Sequence, residues 1–108
     1  MGDRVNRTSE KGRSEDSGWT KEVSYKSQHG DTLTRQQGGP NPGSLDFDEI
    51  HTSCRNGASL PRDVAEKVNR ELRGAYALDL NRDAHTFDGP SPLTQACNVV
   101  DKPRGNSR

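Results

Sequence analysis

At 108 residues the chain is long enough for one domain and too short for two. Seven Leu, six Val, two Phe and one Ile make up about 15% of it, below the ~20% that marks poorly ordered chains, so at most a marginal core is expected. Sixteen basic residues balance sixteen acidic ones, seven against six in residues 1–44 and nine against ten in 45–108; with no basic footprint in either half, nucleic acid and anionic membrane surfaces are not expected partners.

Residues 1–17 are almost wholly polar, with Val5 the one internal apolar residue, and read as a disordered tail. They lack the apolar stretch of a secretory signal, and Asn6 stands where a myristoylation pattern wants Ser or Thr. No apolar run approaches the ~18 residues of a membrane span. A soluble, intracellular protein is therefore expected.

From Trp19 the pattern alternates. Trp19, Val23 and Tyr25 share one face, with Thr20, Glu22, Ser24 and Lys26 on the other. A three-residue loop at 29–31 pairs Ser27 with Leu33 and keeps Leu33 on the face of Val23 and Tyr25, which predicts a β-hairpin. Trp19 and Tyr25 beside Lys21 and Lys26 could stack nucleobases, but two aromatics on a strand face are more often its core contribution. Residues 38–44, rich in Gly and Pro, read as a linker; no Lys-Ser/Thr pair follows to make a phosphate loop of them. Leu45–Ile50 fits a short strand or one helical turn, and Asn56-Gly57 marks a turn.

Residues 61–73 carry the clearest helix signature. Pro61 suits a first helical position, Asp63 and Glu66 lie early, Arg70 and Arg73 late, and Gly74 follows as a natural terminator. Val64, Val68 and Leu72 form a narrow apolar stripe that must dock on something, because an isolated helix of this length is marginal. Tyr76, Leu78 and Leu80 alternate as in a strand, with continued helix the competing reading. Residues 82–108 read as mostly irregular, with one docking point at Val99-Val100, and Ser91-Pro92 as a regulatory phosphorylation site.

The chemistry-bearing residues form no strong constellation. His51 and Cys54 have a metal-ligand spacing, but His85 and Cys97, which would complete a tetrahedron, are separated by eleven residues. Neither a metal nor a cofactor is expected. Two cysteines are too few for a disulfide framework, so free thiols are the default and a single 54–97 bridge the alternative. Cys54 with a histidine, or Asp46, Asp48 and Glu49 as paired carboxylates, would need a water-excluding pocket that so apolar-poor a chain builds with difficulty. No catalytic residue is assigned.

The sequence thus implies a small α+β chain at most: a β-hairpin plus one amphipathic helix and short strands within residues 18–81, interrupted by the linker and flanked by disordered terminal segments. The function it favours is that of a small regulatory or adaptor protein that binds a protein partner through Val64, Val68, Leu72 and Tyr76. A mini-domain with hydrolytic or nucleic-acid-processing activity through His29, His51, His85 and the acids is the alternative, and a viral or overlapping-frame accessory protein with little fold is the third.

Overall fold

Alternation at period two builds most of the molecule. The computed structural model describes residues 2–13, 18–41, 43–77 and 83–100. Its elements are β1 (Arg4–Arg13), β2 (Trp19–Ser27), β3 (Thr32–Gly39), β4 (Phe47–Ser53), α1 (Arg62–Tyr76), β5 (Ala84–Thr86) and α2 (Pro92–Val99). The strands form one antiparallel sheet in the order β4-β3-β2-β1-β5. The α+β class follows the sequence, but the sheet is larger than a hairpin.

One face of the sheet carries the core and the other faces water, the arrangement antiparallel sheets permit. Val5, Tyr25 and Leu33 are buried on the inner face, where they cluster with Val68, Leu72 and Tyr76 of α1 and Leu93 of α2. The Tyr25 and Tyr76 rings lie 5.7 Å apart, and the Tyr76 hydroxyl donates to the Val5 carbonyl at 2.6 Å. On the outer face the Ser24 and Thr34 hydroxyls share a hydrogen bond and the Gln36 amide donates to Glu22. That face has no apolar stripe and no second layer among the described residues.

This one-sidedness explains the strand that composition conceals. Arg4–Arg13 pairs with β2 along its whole length and with β5 at its start, where a disordered tail is the compositional expectation. A strand between two partners has its backbone groups satisfied, and only alternate side chains need burial. In β1 the fully buried Val5 is enough to seat the start of the strand.

The second hairpin forms as expected but in a different register. Tyr25 stands opposite Leu33, two residues away from the Ser27–Leu33 pairing, and the face assignment is preserved. The loop is 28–30, with Gly30 at φ 100°, in the left-handed region that closes such loops. Asp31 decides the shift. It is fully buried and accepts hydrogen bonds from the Ser27 hydroxyl, the Arg55 backbone and the Arg55 guanidinium.

Gly38 and Gly39 belong to β3, so the connection to β4 is 40–46, displaced by two residues from the expected linker and of the same length. The Phe47 ring covers Gly38, and a Cβ at Gly39 would meet the Ser44 carbonyl at 2.2 Å. The glycines are there to let the loop fold back. Residues 45–50 resolve as strand from Phe47 onward.

Helix α1 passes through Gly74 and ends at Tyr76. An interior glycine costs about 1 kcal/mol, less than the burial of Tyr76 returns. Residues 78–82, where strand and helix compete in the sequence, lie outside the described residues. In the C-terminal segment, Ala84–Thr86 and Pro92–Val99 are regular where irregular chain is the expectation. Ser91, a candidate phosphorylation site in the sequence, is fully buried and caps α2 by accepting from the Thr94 N–H. Leu93, with no exposed surface, anchors this segment; Val100 is partly buried, whereas Val99 is 81% exposed.

Cys54 and Cys97 form a disulfide and are not free thiols. The bridge ties the turn after β4 to α2. No helix among the described residues is long and apolar enough to cross a membrane.

Candidate anion-binding cleft

Inner-face positions of the sheet run on beyond the part that the helices cover. Val5 and Arg7 on β1, Lys21, Val23 and Tyr25 on β2, and Leu33, Arg35 and Gln37 on β3 all point to the helix side, because the pleat alternates. The apolar members near the hairpin end pack under α1. The polar members, together with Asn69 and Arg73 of α1, line a cleft of about 160 Å³ between sheet and helix.

The floor of this cleft is made by buried groups without protein partners. Tyr25 is 1% exposed and Asn69 3%, yet neither side chain makes a hydrogen bond among the described residues. Their polar atoms are not sealed off, so they meet solvent through the cleft. Burial pushes the Tyr25 phenol above its ordinary value, against the opposing pull of Arg7, Arg73 and Arg35. Tyr25 is therefore a neutral hydroxyl at neutral pH, able to donate.

The walls are cationic. The Arg7 guanidinium lies 4.4 Å from the centre of the Tyr76 ring. Arg35 grips Asp48 of β4 through two hydrogen bonds of 2.8 and 2.5 Å. That contact, reinforced by Gln37, holds the Asp48 carboxyl below the usual range and raises Arg35. Lys21 and Arg73 are exposed at the rim, and neither has a partner among the described residues. Arg35 is matched by Asp48 and also feels the Glu66 carboxylate of α1, so the cations of this cleft stand in a chain whose net charge is zero. Every polar group here other than Asp48 can donate a hydrogen bond.

No protein-family model, curated protein or solved structure matches this chain. The geometry alone carries the functional argument.

A second polar cluster lies at the other end of the inner face. The Asp3 carboxylate accepts from the Ser91 N–H at 2.9 Å and contacts His29 Nε2 at 3.0 Å. Burial would raise the Asp3 carboxyl, but hydrogen bonds from Thr94, Ser91 and His29 bring it down to about 2. This clasp joins the chain's start, the β2–β3 loop and the N-terminus of α2. Its carboxylate is taken up by contacts within the chain.

The residues singled out in the sequence scatter. Val68, Leu72 and Tyr76 lie in the chain's own core and Val64 packs against it, so this stripe is covered by the sheet. His29 sits in the loop, His51 pairs with Glu49 on the outer face, and His85 lies between the Tyr76 and Phe87 rings. Asp48 and Glu49 point to opposite faces of β4, which separates the acidic pair. The metal tetrahedron does not assemble, since both of its sulfurs are bonded to each other. Among the described residues the one cluster at ligand distance is Asp31, Cys54 and Cys97, and there the sulfurs are bridged and the carboxylate is held by Arg55.

The sequence sets Lys21 and Lys26 beside Trp19 and Tyr25, and of these the structure places Lys21 and Tyr25 in the cleft and Lys26 on the outer face. Arg7, Arg35, Asn69 and Arg73 were not visible, because they reach the cleft from other elements. The signal that could have found them is the placement of a cation at inward positions of three successive strands.

Proposed function

We propose that this protein is a small binding protein that takes up an anionic group in the cleft between the inner sheet face and α1. The observation that carries this reading is that the Tyr25 hydroxyl and the Asn69 amide, open to solvent through the cleft and without a protein partner among the described residues, line it together with Arg7, Lys21, Arg35 and Arg73. In a partly water-excluded cleft, charge-assisted hydrogen bonds are about twice as strong as neutral ones. An anion there would accept from these donors in place of water.

Other readings have less support. Docking of a protein through Val64, Val68, Leu72 and Tyr76 would require α1 to leave its own sheet. Hydrolysis through the histidines and acids would require groups that stand on different faces to converge. The buried Cys54–Cys97 bridge favours an oxidising compartment over the reducing cytosol.

The test is a proton–nitrogen correlation spectrum of the oxidised chain, titrated with sodium phosphate against sodium chloride at constant ionic strength. The expected result is saturable movement of the Asn69 side-chain amide and of the Tyr25, Arg35 and Arg73 signals. Shifts spread equally over Lys67, Arg62 and the other surface cations would sink the reading.

A further inference from the structure

The outer face of the sheet has no second layer among the described residues, and it carries a short sequence signal that the cleft leaves unused. We propose that Asn6 is an acceptor for an asparagine-linked glycan and that the glycan stands on this outer face. The proposal rests on the Cys54–Cys97 bridge as the mark of an oxidising compartment, the setting of secreted and glycosylated chains. It is independent of the cleft.

Asn6-Arg7-Thr8 has the spacing of an acceptor, an asparagine followed after one residue other than proline by a hydroxyl residue. No other asparagine of the chain stands in that pattern. The structure puts the pattern where it can be used. Strand β1 is extended, so residues 6 and 8 project to one side and Arg7 to the other. That side is the outer one, because Val5 is buried in the core and Arg7 lines the cleft. Asn6 and Thr8 are both exposed, and neither side chain has a partner among the described residues. Modification of the amide therefore breaks no native side-chain hydrogen bond.

The surroundings leave room for a sugar. Asn6 stands opposite Lys26 of β2 and Ala84 of β5, and the small Ala84 side chain keeps one flank low. Asn6 and Thr8 line an open hollow of about 430 Å³ together with Arg4, Arg7, Asp83 and Ala84. That volume lies within the ~300–1,000 Å³ of sites that hold a small organic group. The polar lining offers donors and acceptors to sugar hydroxyls. The transfer needs no oxidant or reductant. The Asn6 Nδ2 attacks C1 of an oligosaccharide carried on a polyisoprenyl diphosphate. A C1–N bond forms, Nδ2 gives up one proton, and the lipid diphosphate leaves with the electron pair of the broken C1–O bond.

The experiment expresses the full chain behind a cleaved secretion signal in a glycosylating eukaryotic cell. Intact mass is read before and after treatment with peptide:N-glycosidase. Expected are a single glycan per chain, its complete removal by the enzyme, and conversion of the Asn6 amide to a carboxylate in the peptide map. Asn6→Gln and Thr8→Ala should each abolish the glycan, whereas Thr8→Ser, which keeps the hydroxyl, should retain it. All three changes lie at exposed positions, and an intact Cys54–Cys97 bridge reports that each variant folds. Removal of the glycan should move the amide signals of Asn6, Thr8, Lys26 and Ala84 and leave those of Asn69 and Arg73, across the sheet, in place. A chain secreted with the bridge formed and Asn6 unmodified would overturn the glycan and leave the compartment reading standing. A secreted chain with free thiols would overturn the compartment reading itself. A glycan that persists in Asn6→Gln, or one whose presence abolishes the strand signal in circular dichroism, would overturn its placement on the outer face.

Discussion

Removing the Cys54–Cys97 bridge tests how this thin core reaches stability. The bridge closes a sequence separation of 43 residues, for which the loop-entropy relation gives about 4 kcal/mol at 25 °C. Domains of this size have only about 5–15 kcal/mol in total, so the loss is a large share of it. Alanine is the informative replacement. Both sulfurs are almost fully buried, and serine hydroxyls would add unpaired polar groups to the measurement. Urea unfolding is followed by the fluorescence of Trp19 and, separately, by circular dichroism. The Cys54→Ala/Cys97→Ala chain should lose about 4 kcal/mol, with a slightly steeper denaturant dependence because its unfolded state is less confined. Wild type equilibrated with reductant should match it. A loss below about 1 kcal/mol by both probes would refute the argument, and would mean that the sheet and α1 are stable without the clamp on α2.

Three further outcomes follow from the packing. Asp3 has a folded pKa of about 2, below its ordinary value of 3.8, so its contribution is complete above about pH 4 and is lost as pH falls toward 2; acid titration of stability should show about 2 kcal/mol lost in that window, and Asp3→Asn should remove the effect. Tyr76→Phe leaves the ring packing intact and deletes the bond to Val5, costing about 1 kcal/mol in urea unfolding and speeding amide exchange at the start of β1. Gly39→Ala forces the loop carbonyl of Ser44 away, and because that carbonyl accepts from the Trp19 indole at 2.5 Å, the Trp19 emission should shift to the red with a cost of about 1–3 kcal/mol.

What the sequence disclosed was local periodicity. The Val23/Tyr25/Leu33 face, the turn at Gly57 and the helix beginning just after Pro61 are each written within a dozen residues. What it concealed depends on partners far along the chain. Nothing in residues 4–13 distinguishes a polar tail from a strand whose outer face meets water, since the deciding contact is Val5 beneath Tyr76. Asp31 reads as a turn residue until Arg55 is placed beside it, and Ser91 reads as a modification site until its hydroxyl is seen capping α2. The cleft was hidden for the same reason: four cations from four elements look like scattered surface charge in a chain of zero net charge.

The place of β1 at the interior of the sheet has a consequence for how the molecule assembles. Its pairing with β2 is local and can zip early, as can the rest of the β1–β4 meander. Its other neighbour, β5, arrives some eighty residues later. Until then the meander exposes the free side of β1 and an uncovered Tyr25 and Leu33, a transient sticky edge during synthesis from the N-terminus. Closure of that long loop, with Tyr76 reaching back over Val5, is the non-local step that sets the pace. Helix α2 with its cysteine, the last of the described elements in chain order, then locks a sheet whose β1 strand was made well before it.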